Sequence, residues 1–202
     1  MFIELTEALR CPGSHDESYV ICGPVTMDGR DIVRGGIVCP VCRAEYPILE
    51  RIAWFAPPEE PVRGADPAAA DSALTAEGVR AFLDLQGAGG YVVTVGAAGR
   101  LGPALAALLP GVGIACVNPP PAVHAAAGVS DLRSPRGFPI RRRSVRAAVV
   151  GADAQRAPWL AAAVGAVLPG QRVVIEDESA APEGVAPLAR GAGVLVGEKR
   201  SE

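Results

Sequence analysis

The chain has 202 residues, of which 50% are hydrophobic, with 22 acidic and 19 basic side chains and a formal net charge of −3. That is enough apolar material for one sizeable domain with a real core plus a small module. The near balance of charge does not imply broad electrostatic capture of nucleic acid and leaves room for a local basic patch.

Glu4 and Glu7 interrupt the opening "MFIELTEALR" where a secretory signal needs an unbroken apolar stretch. The longest apolar run, Trp159 to Leu168, is too short to span a bilayer, so a soluble, cytoplasmic protein with no membrane partner is expected. Five cysteines, with Cys11, Cys22, Cys39 and Cys42 all in the first part of the chain, cannot all pair, and reducing cytosol disfavours disulfides. Their clustering points to metal.

In residues 1–56, "VTMDGRDIV" sets Asp28-Gly29 between two β-prone runs, which predicts a hairpin with a type I′ turn. Cys11 precedes the first strand and "CPVC" closes the second. Cys11-x3-His15 and Cys39-x2-Cys42 then offer four ligands in two short clusters, the donor set of a closed, structural zinc site. Cys22, inside the first strand, is the alternative to His15 as fourth ligand. The segments "LRCP" and "GGIVCPVCRAEYPILERIAWF" resemble the zinc-ribbon family of tRNA-methyltransferase activator subunits over residues 2 to 55. This resemblance implies docking onto a methyltransferase acting on RNA or protein. The family's first C-P-x-C is altered, with Ser14 in place of the second cysteine and His15 after it.

"APPEEPVRGADPAAADSA" lacks periodicity and predicts a linker over residues 57–73. Residues 74–202 then alternate helix and strand patterns. Thr75 is a candidate N-cap for a helix whose Val79, Phe82 and Leu83 share a face, and "YVVTV" follows as a strand. A glycine turn leads into a helix lined by Leu101, Leu105 and Leu108, ending at Pro110-Gly111. "GIACVN", "RAAVVGAD", "QRVVIED" and "GVLVGEK" are further strands, with the helix "APWLAAAVGAVL" before the third. Near-continuous apolar strands alternating with helices predict an α/β fold: a small zinc-ribbon hairpin module followed by a doubly wound, mostly parallel, Rossmann-like sheet.

The order strand, glycine turn, helix and strand with a polar end resembles the class I S-adenosylmethionine-dependent methyltransferase fold over about residues 74 to 200. That resemblance implies cofactor contacts from Gly96, Ala98, Gly99, Asn118 and Asp131. The sequence departs from the family at three of its points. Thr94 replaces an acidic residue of the first strand, Ala98 stands near the middle glycine, and Asn118 replaces the carboxylate that grips both ribose hydroxyls. Asp131 in "VSDLRSP" is the acidic contact retained, near the adenine.

Asp153, at the carboxyl end of a strand, is the candidate substrate-facing acid or base. Its structural alternative is an N-cap ahead of Ala157-Pro158. His124 has a similar ambiguity as a residue of an exposed helix. "FPIRRRSVR" is a basic loop that could meet phosphate, but only 4% of the chain is aromatic and RNA readers stack bases on exposed rings. RNA therefore enters as a partner by family analogy alone. The expectation is a methyltransferase-like pseudoenzyme with a structural zinc and a degenerate S-adenosylmethionine site, acting through a protein partner or as a homo-oligomer. An active S-adenosylmethionine-dependent methyltransferase is the alternative.

Overall fold

The computed structural model describes residues 1–60, 74–121, 126–155, 158–177 and 181–201. Of the expected linker, residues 61–73 lie outside the described residues, as does His124. The described strands are β1 (Ile21–Asp28), β2 (Asp31–Val38), β3 (Glu45–Leu49), β4 (Ile52–Trp54), β5 (Tyr91–Val95), β6 (Gly113–Val117), β7 (Val129–Arg133), β8 (Val145–Val150), β9 (Val167–Ile175), β10 (Val185–Gly191) and β11 (Val194–Lys199). All join one 11-stranded sheet in the order β1-β2-β3-β4-β7-β6-β5-β8-β9-β11-β10.

The stretch from β4 through β7, β6, β5 and β8 to β9 is parallel, and the pairs at both outer ends are antiparallel. Parallel strands buried on both sides need apolar residues at successive positions, and β5, β6 and β8 supply them. Val92, Ile114, Val149 and Val174 face one core with α1 (Ala76–Leu83) and α2 (Gly102–Leu108). Val93, Val95, Ala148 and Val150 face the other, which they share with α3 (Trp159–Ala166) and with Leu5, Ile37, Ile48 and Phe55 of the N-terminal segment. The N-terminal hairpins thus extend the sheet through the β4–β7 pair and also cover one of its faces.

Several local expectations shift. Asp28 pairs with Asp31, so the hairpin loop is Gly29-Arg30, with positive φ at its first residue (57°), and not Asp28-Gly29. Strands β3, β4, β7 and β10 were not expected: they are short, interrupted by proline or carry charge, and gain stability only from sheet neighbours. Three α-helices of eight residues or fewer are found among the described residues, so the second face is covered largely by the N-terminal segment and less by helices than a doubly wound fold implies. The helix expected to reach Leu168 stops at Ala166, because Val167 already pairs with Val145.

In α1, Thr75 Oγ1 accepts from the Gly78 amide at 3.1 Å, and Leu74 and Val79, flanking the cap, enter the same core. Val79 and Leu83 are buried, but Phe82 is 41% exposed, because eight residues turn only a narrow stripe inward. Thr75→Ala should lower stability by about 1 kcal/mol, read as a shifted urea midpoint with an unchanged m-value.

Candidate functional site

The first candidate site is built by two closed loops. Between Cys11 and Ser18 the chain doubles back, the Cys11 amide donating to the Ser18 carbonyl at 3.2 Å. After β2, the Cys39 amide donates to the Ala44 carbonyl and the Arg43 amide to the Cys39 carbonyl, each at 2.9 Å, with Arg43 at a φ of 62°. These turns bring one ligand atom from each of Cys11, His15, Cys39 and Cys42 within 4.8 Å of one another.

Cys11 Sγ lies 3.6 Å from Cys42 Sγ, and Cys39 Sγ lies 3.4 Å from His15 Nε2. Ligands around a tetrahedral zinc stand roughly 3.5–3.8 Å apart, from bond lengths of about 2.3 Å to sulfur and 2.0–2.1 Å to nitrogen. The donor set and its spacing fit such an ion. His15 Nδ1 donates to the Asp16 carbonyl at 2.7 Å; a carbonyl only accepts, so Nε2 keeps its lone pair and aims it at the cluster.

Outer contacts prepare the thiols. Burial pushes the Cys39 thiol up, but hydrogen bonds from the backbone at Cys42 and Val41 outweigh it and bring the group to about 7. Burial raises the Cys11 thiol, opposed by Tyr46 and by the Gly13 amide, whose nitrogen is 3.4 Å from the sulfur. Tyr46 is held protonated, chiefly by burial and then by its contact with Cys11, and donates to Cys11 Sγ at 3.2 Å. Cys22 stands outside the cluster, half-buried against the core, which leaves His15 as the fourth member.

The second candidate site is the crevice at the carboxyl ends of β5 and β8. From β5 the chain winds outward through β6 and β7, then returns to the other side of β5 with β8 and β9, and this reversal is where open α/β sheets bind ligands. Gly96 opens the 3-10 helix Gly96–Leu101 at a φ of 63°, a conformation glycine adopts without penalty. The space beside it is taken. Asp153, arriving from the end of β8, accepts from the Ala97 amide at 2.8 Å, and a Cβ added at Gly96 would collide with its carboxylate.

Asp153 therefore caps a helix across the sheet end. It is not the N-cap ahead of Ala157-Pro158, because α3 begins at Trp159 with Pro158 as its N-cap. Periodicity along β8 could not reveal this contact, which links residues 56 apart.

The rest of the crevice is committed in the same way. A Cβ at Gly99 would stand 2.5 Å from Pro119 Cβ and 2.9 Å from its Cα, so the loop after β6 lies against the glycine turn. Asn118 spends both ends of its amide on Ser134: Nδ2 donates to the Ser134 carbonyl and Oδ1 accepts from its amide, each at 2.7 Å. Ala98 is fully buried in the core beneath α2.

Asp131 is not at the crevice mouth. It lies within β7 at 1% exposure, in register with Cys116 of β6, and Arg133 Nη2 donates to it at 2.7 Å. The other Arg133 nitrogen, Nη1, donates to the Pro119 carbonyl at 2.6 Å, tying the proline loop to the same pair. Two side chains of the basic loop bond to backbone at the surface, Arg141 donating to the Glu7 carbonyl at 3.1 Å and Arg146 to the carbonyls of Gln86, Gly87 and Gly89 at 2.6, 3.0 and 2.8 Å, while Arg142 and Arg143 are exposed. No helix among the described residues is long and apolar enough to cross a membrane.

No protein-family model matches the chain, and no curated protein matches its sequence. Among solved structures it is similar to the antibiotic-resistance methyltransferase Kmr, at 15% identity and a TM-score of 0.44 over 64% of this chain and 94% of that one. A second crystal structure of Kmr gives 15% identity and a TM-score of 0.42 over 62% and 94% of the two chains. The MycE methyltransferase of the mycinamycin biosynthetic pathway, solved with Mg and SAH, gives 16% identity and a TM-score of 0.42 over 61% of this chain and 45% of that one.

Proposed function

We propose that this chain is a methyltransferase-like protein whose methyl-donor crevice is filled by its own side chains, and that it acts as a binding or regulatory partner through a zinc-bearing N-terminal segment. The observation that carries the reading is the Asp153 carboxylate seated on Gly96, where a donor's polar end would need the backbone amides. Three further contacts support it: Pro119 against Gly99, Asn118 bonded to Ser134, and Asp131 neutralised by Arg133. With these groups in place, S-adenosylmethionine does not fit the residues present.

At the other site, three thiolates and one imidazole would occupy every position around zinc, which makes the ion structural and leaves no place for a substrate. The surface that meets a protein partner or a second copy is assigned to this segment, in line with its resemblance to docking subunits.

The runner-up, an active methyltransferase, has one observation in its favour. Asp153 is an exposed residue, and the bond that seats it is to a single amide, that of Ala97. Calorimetry of metal-loaded protein against 1 mM S-adenosylmethionine decides between them, the concentration being about a millimolar Kd on the affinity scale. No heat is the expected result. Low-micromolar binding would sink the closed-crevice reading.

A further inference from the structure

Strand β1 and the two residues before it are apolar on both sides, although β1 stands at the edge of the sheet. Successive side chains point to opposite faces, so Val20 and Cys22 go one way and Tyr19, Ile21 and Gly23 the other. Val20 and Cys22 meet the core shared with the parallel strands. Tyr19 and Ile21 are 62% and 54% exposed, and Val25, at the register shift that follows, is 81% exposed. Apolar residues at successive positions belong to strands covered on both faces, and here one cover is missing.

The uncovered side continues across the hairpins. Cross-strand partners share a face: Ile21 pairs with Val38 and Val38 with Glu45, while Gly23 pairs with Gly36 and Gly36 with Pro47. The opposite side of β2 and β3 carries Ile37 and Ile48, both fully buried. A Cβ added at Gly23 or Gly36 would meet nothing within 4 Å, so the glycine pair is a hollow in the middle of the uncovered face. Glycine inside a strand leaves room for the close approach of another surface.

We propose that this face packs against the same face of a second copy of the chain, giving a two-fold symmetric, sheet-on-sheet dimer. The inference rests on the reading above that the N-terminal segment is the docking surface, and it names the face and the occupant. Edge-to-edge strand addition is blocked, since Pro24 has no N–H and register shifts on both sides of Thr26 bend the outer edge of β1. The rest of the segment is used within the chain, β4 pairing with β7 and Ile37 and Ile48 lying in the core. The outward face is what remains.

Its charges select the occupant. Glu45 stands at one end of the face, in the row of Ile21 and Val38, and Arg34 at the other, two residues before Gly36 and opposite Thr26. Both are exposed, and among the described residues neither side chain has a salt-bridge partner. One base and one acid at opposite ends make the face complementary to itself. A two-fold axis between the facing sheets sets Arg34 of each copy against Glu45 of the other and encloses the apolar residues between the two pairs. Aligned sheets pack about 10 Å apart, and the glycine hollow admits Ile21 or Val25 of the facing copy.

The test is sedimentation equilibrium of the full, metal-loaded chain from about 1 to 500 μM, a span that covers micromolar to submillimolar dissociation constants. The 20.6 kDa chain is expected to associate to twice its mass. Val25→Glu, at an exposed position, should leave monomers. Arg34→Glu and Glu45→Arg should each raise the dissociation constant about tenfold or more, because both pairs then bring like charges together. Mixed in equal amounts, these two variants should associate with each other as tightly as wild type, since every pair is again opposite in sign. Misfolding does not produce that recovery, and thermal melts check each variant. A wild-type chain that stays monomeric, a dimer indifferent to Val25→Glu, or single charge variants that fail to associate on mixing would overturn the proposal. The calorimetry above reads the crevice separately: a monomer that binds no S-adenosylmethionine strikes the dimer and leaves the closed crevice standing.

Discussion

Cys39→Ser is expected to abolish metal loading and lower the melting temperature of the whole chain by roughly 10 °C, a loss of several kcal/mol in a protein of this size. The size of the effect follows from where the cluster sits. Cys39 directly follows β2, which holds β1 on one side and β3 on the other, and β4 then carries the sheet into β7. Ile37, Ile48 and Phe55 share one core with Val93, Val95 and Val150.

Release of the two ligand loops therefore removes a covering layer from the parallel strands. Unfolding should remain a single transition, shifted downward. Elemental analysis should find one zinc per wild-type chain and none in the variant, and a strong chelator should move the wild-type melt onto that of Cys39→Ser. A metal-free protein that melts at the wild-type temperature would remove the structural role from the site.

Gly99→Ala tests the crevice without any ligand. If the glycine turn existed to admit a cofactor, a methyl group there would meet open space in the free protein and cost little. Here it meets Pro119 Cβ at 2.5 Å and Cα at 2.9 Å, and a proline ring backed by the Arg133 hydrogen bond to its carbonyl has little room to retreat. The expected loss is about 2–3 kcal/mol, as for overpacking in a tight core, visible as a lower urea midpoint.

Pro119→Gly removes the nearer of the two colliding atoms, so the double variant should recover part of the loss. The coupling between the two positions, read from a double-mutant cycle, should then be of order 1 kcal/mol or more. An unaffected urea midpoint in Gly99→Ala would mean that the crevice is open in solution.

Much of the local architecture was legible in the chain itself. The runs "YVVTV", "GIACV" and "RAAVV" lie within β5, β6 and β8, because a strand buried on both faces has no choice but successive apolar residues. The spacings Cys11-x3-His15 and Cys39-x2-Cys42 picked out four residues whose ligand atoms the structure brings within 4.8 Å of one another, because both pairs sit in short turns, while the choice of His15 over Cys22 needed the fold. Strands β3, β4, β7 and β10 escaped, since "EYPIL", "VSDLR" and "VAPLARG" break the apolar run with proline or charge, β4 is only three residues long, and all four owe their conformation to sheet neighbours.

The residues by themselves thus determined which segments are apolar strands, where the chain must turn at Gly96, and which side chains can hold a metal, because each follows from periodicity, backbone sterics or ligand chemistry within a few positions. Tertiary structure alone decided what fills the space beside those residues. Asp153 reaches Ala97 only because β8 lies next to β5, and Pro119 meets Gly99 only because β6 lies on its other side. Contacts of that kind depend on strand order and register, which join residues far apart in the chain and leave no periodic trace along it.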